Sequence, residues 1–150
     1  MKRIIYFSLV AFLIVLGSST IDNVSGINPG SSTPDKAVSH RFQAGYWTPL
    51  ICDGVEVDYL EGTLDVHCVM FGHPGAWQWM TMRYTGTLTS AATGEQFRIM
   101  EIDKSDATDF SWHSNLVGDK GSHYIIFGSG TFDPFTVTID KTVCPSFQGE

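Results

Sequence analysis

The residue types most able to do chemistry are the aromatic, imidazole and carboxylate side chains that follow a His-Pro-Gly turn. "WQWMTMRYTGTL", Trp77 to Leu88, sets two indoles on alternate positions and follows them with an arginine. On a strand, residues two apart share a face about 7 Å apart. Trp77 and Trp79 would then form a flat platform for a sugar ring or an apolar ligand, with Arg83 on the same side as a polar handle. The opposite face reads Gln78, Met80, Met82, Tyr84, which suits an inner lining. An unpaired buried guanidinium is prohibitive, so Arg83 points the tryptophan row towards solvent. Gln43 and Asp65 are further candidates for polar contacts. The alternative, which the sequence favours, is that an adjacent loop, the leader or a neighbouring strand covers the indoles, which then serve packing. A ligand held among inward Met and aromatic side chains is the third option, since small barrels either fill with side chains or hold one small molecule.

Other constellations are weaker. His67 and His73 flank one turn, and His113 and His123 flank another loop. Imidazoles bind zinc, and His67 and His113 are the first pair to test. No H-E-x-x-H or C-x-x-C spacing accompanies them, so no metal site or cofactor is assigned. "DKSDATD" spaces Asp103, Asp106 and Asp109 as a solvated acidic loop, without the alternating ligands, central Gly and distal Glu of a calcium loop. "GDKGS" and "GSG" lack the length and context of a phosphate loop or nucleophile elbow and read as turns. Glycoside hydrolysis needs two convergent carboxylates, and nothing in the spacing of Glu61, Glu95 and Glu101 brings two together. No catalytic residue is assigned, and the expectation is a protein that is not an enzyme. A metal-dependent hydrolase ranks third, behind ligand binding and a purely structural or adhesive role.

The elements that must position these groups are strands. "GTLDVHCVMF" alternates Leu64, Val66, Cys68 and Met70 against Asp65 and His67, the period of a half-buried strand. Phe110, Trp112 and Leu116 share a face opposite Ser111, His113 and Asn115, and Phe135, Val137 and Ile139 oppose threonines. Turn residues rich in Gly, Asp and Pro separate these runs, and no capped helical stripe appears. The expected fold is all-β, a single antiparallel β-barrel or β-sandwich domain of about seven or eight strands.

The chain opens with Lys2 and Arg3, an apolar run from Ile4 to Leu16, and then Gly17, Ser18 and Ser19. That order describes a signal peptide over 1–20, with a run shorter than the roughly 20 residues a membrane helix needs. Residues 21–41, rich in Ser, Gly, Pro and Asn, read as a flexible leader. Within it, Asn23-Val24-Ser25 fits a glycosylation acceptor. The all-β domain is then 42–150. Lys2 and Arg3 are two of the nine basic residues, so removing the signal leaves seven against 16 acids, a formal net charge of −9. Nucleic acid is excluded as a partner for want of a cationic cluster of the kind phosphates need, and no membrane association is expected after cleavage. The protein is expected to be secreted or periplasmic.

Cysteines pair in such compartments. Cys52 and Cys144 lie at the two ends of the domain and are the expected disulfide, with Cys68 a buried thiol in a strand; Cys52–Cys68 is the alternative. The order "CDGVEVDYLEGTLDVHCVMF", the Gly-Thr pair of "YTGTLTSAATGEQF", then "NLVGDKGSHYIIF" and a terminal strand ending at Cys144 resembles a group of small exported bacterial all-β proteins with no assigned activity. The resemblance spans about Cys52 to Cys144 and implies fold alone. Cys68 and the Trp77/Trp79 pair depart from the group's pattern. The function expected is therefore a secreted, non-catalytic β domain binding a carbohydrate or small apolar ligand through an aromatic patch or the barrel interior.

Overall fold

The computed structural model describes residues 36–73 and 76–145. The segment expected to be a signal peptide, most of the expected leader with Asn23, and Pro74 and Gly75 lie outside the described residues. Seven strands follow one another: β1 (Lys36–Cys52), β2 (Val55–His73), β3 (Ala76–Ser90), β4 (Gln96–Ser105), β5 (Asp109–Gly118), β6 (His123–Phe132) and β7 (Phe135–Val143). Each pairs antiparallel with the next, in one sheet of order β1 to β7. Short connections make every neighbouring pair a hairpin, and no helix interrupts them among the described residues.

Two expectations change. β1 starts at Lys36, inside the segment read as leader, because its first half is held by backbone pairing with β2, from Lys36 opposite Gly72 to Phe42 opposite Val66. Its exposed side chains carry no alternation that sequence could reveal. Pro49 is tolerated because β1 is an edge strand, where a missing N–H interrupts no second ladder. The acidic loop is also shorter than expected. β4 continues through Asp103, Lys104 and Ser105, and Asp106 is the main organiser of the turn. Its Oδ1 accepts from Thr108 N at 2.8 Å, Thr108 Oγ1 at 2.9 Å and Asp109 N at 2.9 Å. These bonds, led by the one from the Asp109 backbone, hold its carboxyl below the usual range.

The sheet rolls on itself without closing into a barrel. At one end its inner face is filled by Leu50, Leu60, Leu64, Leu88, Phe97 and Leu116, all fully buried. Burying each such side chain contributes roughly 1.5–3 kcal/mol. There the Cys52–Cys144 disulfide ties the end of β1 to the residue after β7. Cys68 is a buried free thiol. Towards the other end the rings of Trp112 and Phe110 lie directly over Gly128 and Gly130 of β6, so closely that neither glycine has room for a Cβ. The aromatic rings supply the surface those glycines lack.

Two further carboxylates have structural duties. Asp58 accepts from Ser90 Oγ at 2.6 Å and Ala92 N at 3.1 Å, fixing the β3–β4 turn. Glu95 accepts from Lys120 N at 3.0 Å and Ser122 Oγ at 2.9 Å, clamping the "GDKGS" turn.

Candidate functional site

Alternation on β3 sends Met82 and Tyr84 to the inner face and Thr81 and Arg83 to the outer. A register shift on β2 between Phe71 and Gly72 places Trp79 opposite Phe71 and Trp77 opposite Gly72. The ring that stacks on Trp79 is Phe71, with centroids 5.5 Å apart and planes 12° from parallel. Trp79 is 43% exposed, while Trp77 is half-buried. The aromatic pair on the outer surface is therefore exposed Trp79 stacked on half-buried Phe71, a cross-strand contact invisible in the spacing of "WQW".

Beside Trp79 a shallow groove crosses the outer face from β3 to β7. Its walls include Thr81, Lys104, Asp109, Ser111, Ser129 and Thr138. These six lie on the outward alternation and supply hydroxyls, one ammonium and a carboxylate, while Met80 and Phe110 add apolar surface from the inward row. Arg83 lies further along β3, beyond Thr81, about 14 Å from Trp79 at 3.4 Å per residue. It lines a second groove with Arg41, Gln43, Asp65, His67 and Thr85. Here Gln43 Nε2 donates to Asp65 Oδ1 at 3.0 Å, and Arg83 Nη2 lies 3.7 Å from Met100 Sδ. Trp79 and Arg83 thus share a face but sit in separate grooves.

The two histidines singled out for metal do not meet. His67 and His113 occupy one cross-strand row, with Arg83 and Ile102 between them. His113 stacks on Phe127 at 4.5 Å, and Ser39 Oγ lies 2.8 Å from His67 Nε2. Among the described residues no three His, Cys, Asp or Glu side chains gather as a metal set.

The inner face holds a polar cluster that the sequence reasoning missed. Along β4 the inward row runs Phe97, Ile99, Glu101, Asp103, passing from apolar to acidic. Glu101 is buried. The Tyr46 hydroxyl lies 2.8 Å from each of its carboxylate oxygens, and Ser114 Oγ donates closely to its Oε2. Tyr46 and Tyr84 pack ring to ring, with centroids 5.8 Å apart. The Tyr84 hydroxyl sits 3.3 Å from Met82 Sδ and faces Asp103. Asp103 Oδ1 is buried and takes no hydrogen bond.

Burial sets the electrostatics of the cluster. Removal from water pushes the Glu101 carboxyl up, against the lowering effect of its bonds from Ser114 and Tyr46. Asp103 is pushed up to about 8, first by burial and then by the Glu101 charge, with the Tyr84 bond opposing. Tyr46 and Tyr84 are raised, again chiefly by burial. Cys68, beside Met82 in the ladder, has its thiol raised by burial as well, which makes it a poor nucleophile. Two carboxyls this close in low dielectric do not both ionise readily, so the pair retains a proton near neutral pH. Its sequence signal was the alternation itself: extending the inward row Phe97, Ile99 by two more steps lands on both acids.

Comparison of the chain with protein-family models, with curated proteins and with solved structures gave no match.

Proposed function

We propose that this is an exported, non-catalytic β domain that binds carbohydrate on its outer face at Trp79. The supporting observation is the Trp79 indole, 43% exposed and backed face to face by Phe71, at the margin of a hydroxyl-lined groove. An aromatic plane beside hydroxyl and carboxylate groups matches a sugar, whose ring has an apolar face and a polar rim. Large exposed aromatic surface on a soluble domain is a usual mark of binding. The outer face is favoured over the interior because side chains fill the rolled sheet at its disulfide end. We regard the sheet as a barrel with one unsealed seam. An oxidising compartment, secreted or periplasmic, suits the Cys52–Cys144 bond, and fits the resemblance to small exported bacterial proteins.

A second role, structural or adhesive without a small ligand, is favoured by one observation. Met100, Phe127 and Val143 are exposed apolar side chains on β4, β6 and the edge strand β7, a surface suited to another protein.

The test is titration of the secreted protein with a panel of neutral oligosaccharides, followed by tryptophan emission and calorimetry. Saturable binding that Trp79→Ala abolishes and Trp77→Ala only weakens supports the carbohydrate role. Wild-type protein that responds to no saccharide, with its Trp79 emission quenched freely by acrylamide throughout, moves the assignment to the structural role.

A further inference from the structure

The second outer groove carries a charge arrangement that a neutral sugar does not explain. Arg41 on β1, His67 on β2 and Arg83 on β3 are direct cross-strand neighbours, Arg41 opposite His67 and His67 opposite Arg83. The two arginines flank the imidazole, about 10 Å apart at the backbone across two strand spacings. Long guanidinium arms from both sides can close over the imidazole between them. Side chains of like charge directly or nearly opposite are unfavourable in a sheet. Beyond the signal peptide this chain has only three arginines and a net charge of −9. Two of those three nevertheless stand in one groove.

Their surroundings do not neutralise them. Arg41 and Arg83 are exposed. The one carboxylate in the groove is Asp65, and its Oδ1 receives the Gln43 amide at 3.0 Å. Arg83 Nη2 meets a thioether sulfur, Met100 Sδ at 3.7 Å, a weak acceptor. Ser39 Oγ, 2.8 Å from Nε2, orients the His67 ring. Thr85 adds a hydroxyl donor at the far wall. Donors therefore converge from three strands, and guanidinium forks match the paired oxygens of an oxyanion.

We propose that this groove binds an oxyanion group, as sulfate, phosphate or carboxylate, between Arg41 and Arg83 across His67. The site stands apart from the Trp79 surface and does not depend on it. A ligand carrying both a sugar ring and an oxyanion about 14 Å away, the span along β3 from Trp79 to Arg83, would engage both grooves.

The test uses the intact secreted protein and sodium sulfate as the probe, with sodium chloride at equal ionic strength as the reference because screening alone moves exposed charges. Sulfate is expected to shift the Arg41, Arg83 and His67 side-chain NMR signals saturably, where chloride does not. Losing both charge-assisted contacts in Arg41→Gln/Arg83→Gln should weaken sulfate binding by about tenfold or more, with backbone spectral dispersion showing an intact fold. Trp79→Ala should leave sulfate affinity unchanged, which separates this site from the carbohydrate surface. A sulfated disaccharide binding more tightly than inorganic sulfate identifies the anion as sugar-borne; equal affinities identify a free-anion site. Chloride reproducing the shifts, or the double variant keeping wild-type affinity, overturns the proposal.

Discussion

The Tyr46 hydroxyl sits 2.8 Å from both carboxylate oxygens of Glu101, although β2 and β3 separate their strands in the sheet. On a flat sheet these strands would lie about 14 Å apart. The contact exists because the sheet curls, so the hydrogen bonds report the curvature directly.

Tyr46→Phe should therefore loosen the roll. It leaves Glu101, a buried carboxyl, with Ser114 as its remaining donor. Stripping a partner from a buried polar group costs about 1–3 kcal/mol. The expected result is an unfolding free energy lowered by that amount, read as a lower urea midpoint with little change in slope. Glu101→Gln, which keeps a hydrogen-bonding group and removes the charge, should cost less.

Asp103 sets a pH dependence. Its carboxyl is pushed up to about 8 in the fold from an ordinary 3.8, so the native state holds a proton that the unfolded chain has released. The associated stability is complete below about pH 4 and is lost progressively as pH rises to about 8. The slope is at most about 1.4 kcal/mol per pH unit. Urea unfolding at several pH values across that window should show falling stability, and Asp103→Asn should flatten the trend. An unchanged slope in the variant would show that Asp103 does not hold the proton.

Cutting the Cys52–Cys144 bond, whose ends lie 92 residues apart, releases β1 from the end of β7. Chain entropy alone puts the loss near 4–5 kcal/mol, often less in practice. The Cys52→Ser/Cys144→Ser variant should melt markedly lower than wild type. In native wild-type protein Cys68 should stay silent to a thiol reagent until urea exposes it.

Trp79→Ala removes surface rather than core. Stability should change by less than about 1 kcal/mol, while the most red-shifted part of the tryptophan emission disappears. Trp77→Ala, taken from a half-buried position, should cost more and change the spectrum less. Equal spectral changes in the two variants would contradict the exposure difference.

Much of this fold was legible where alternation is clean. Leu64, Val66 and Cys68 lie on the inner side as their spacing dictates, as do Met82, Tyr84 and Leu116. The cysteines at the domain's ends bond to each other. β1 was hidden because backbone pairing holds its first half while its side chains stay wet, and Gly45 and Pro49 interrupt its second half. The Phe71/Trp79 stack depends on a register shift, which no single-strand pattern encodes. Glu101 and Asp103 were missed for another reason: acids on a strand suggest the solvent side. Here Tyr84 and Ser114 flank Glu101 as its ladder partners on β3 and β5, and the sheet's curl brings Tyr46 across from β1.

A sheet whose strands pair strictly in chain order also has an assembly sequence. Each hairpin can zip onto the one before it with no distant segment to wait for, which is the condition for rapid closure. Cys144 lies beyond β7, so its sulfur is the last of the three to be synthesised. Oxidation can then act as a latch on a finished sheet, and premature bonding is limited to Cys68, which the inner face shelters once β2 and β3 have joined.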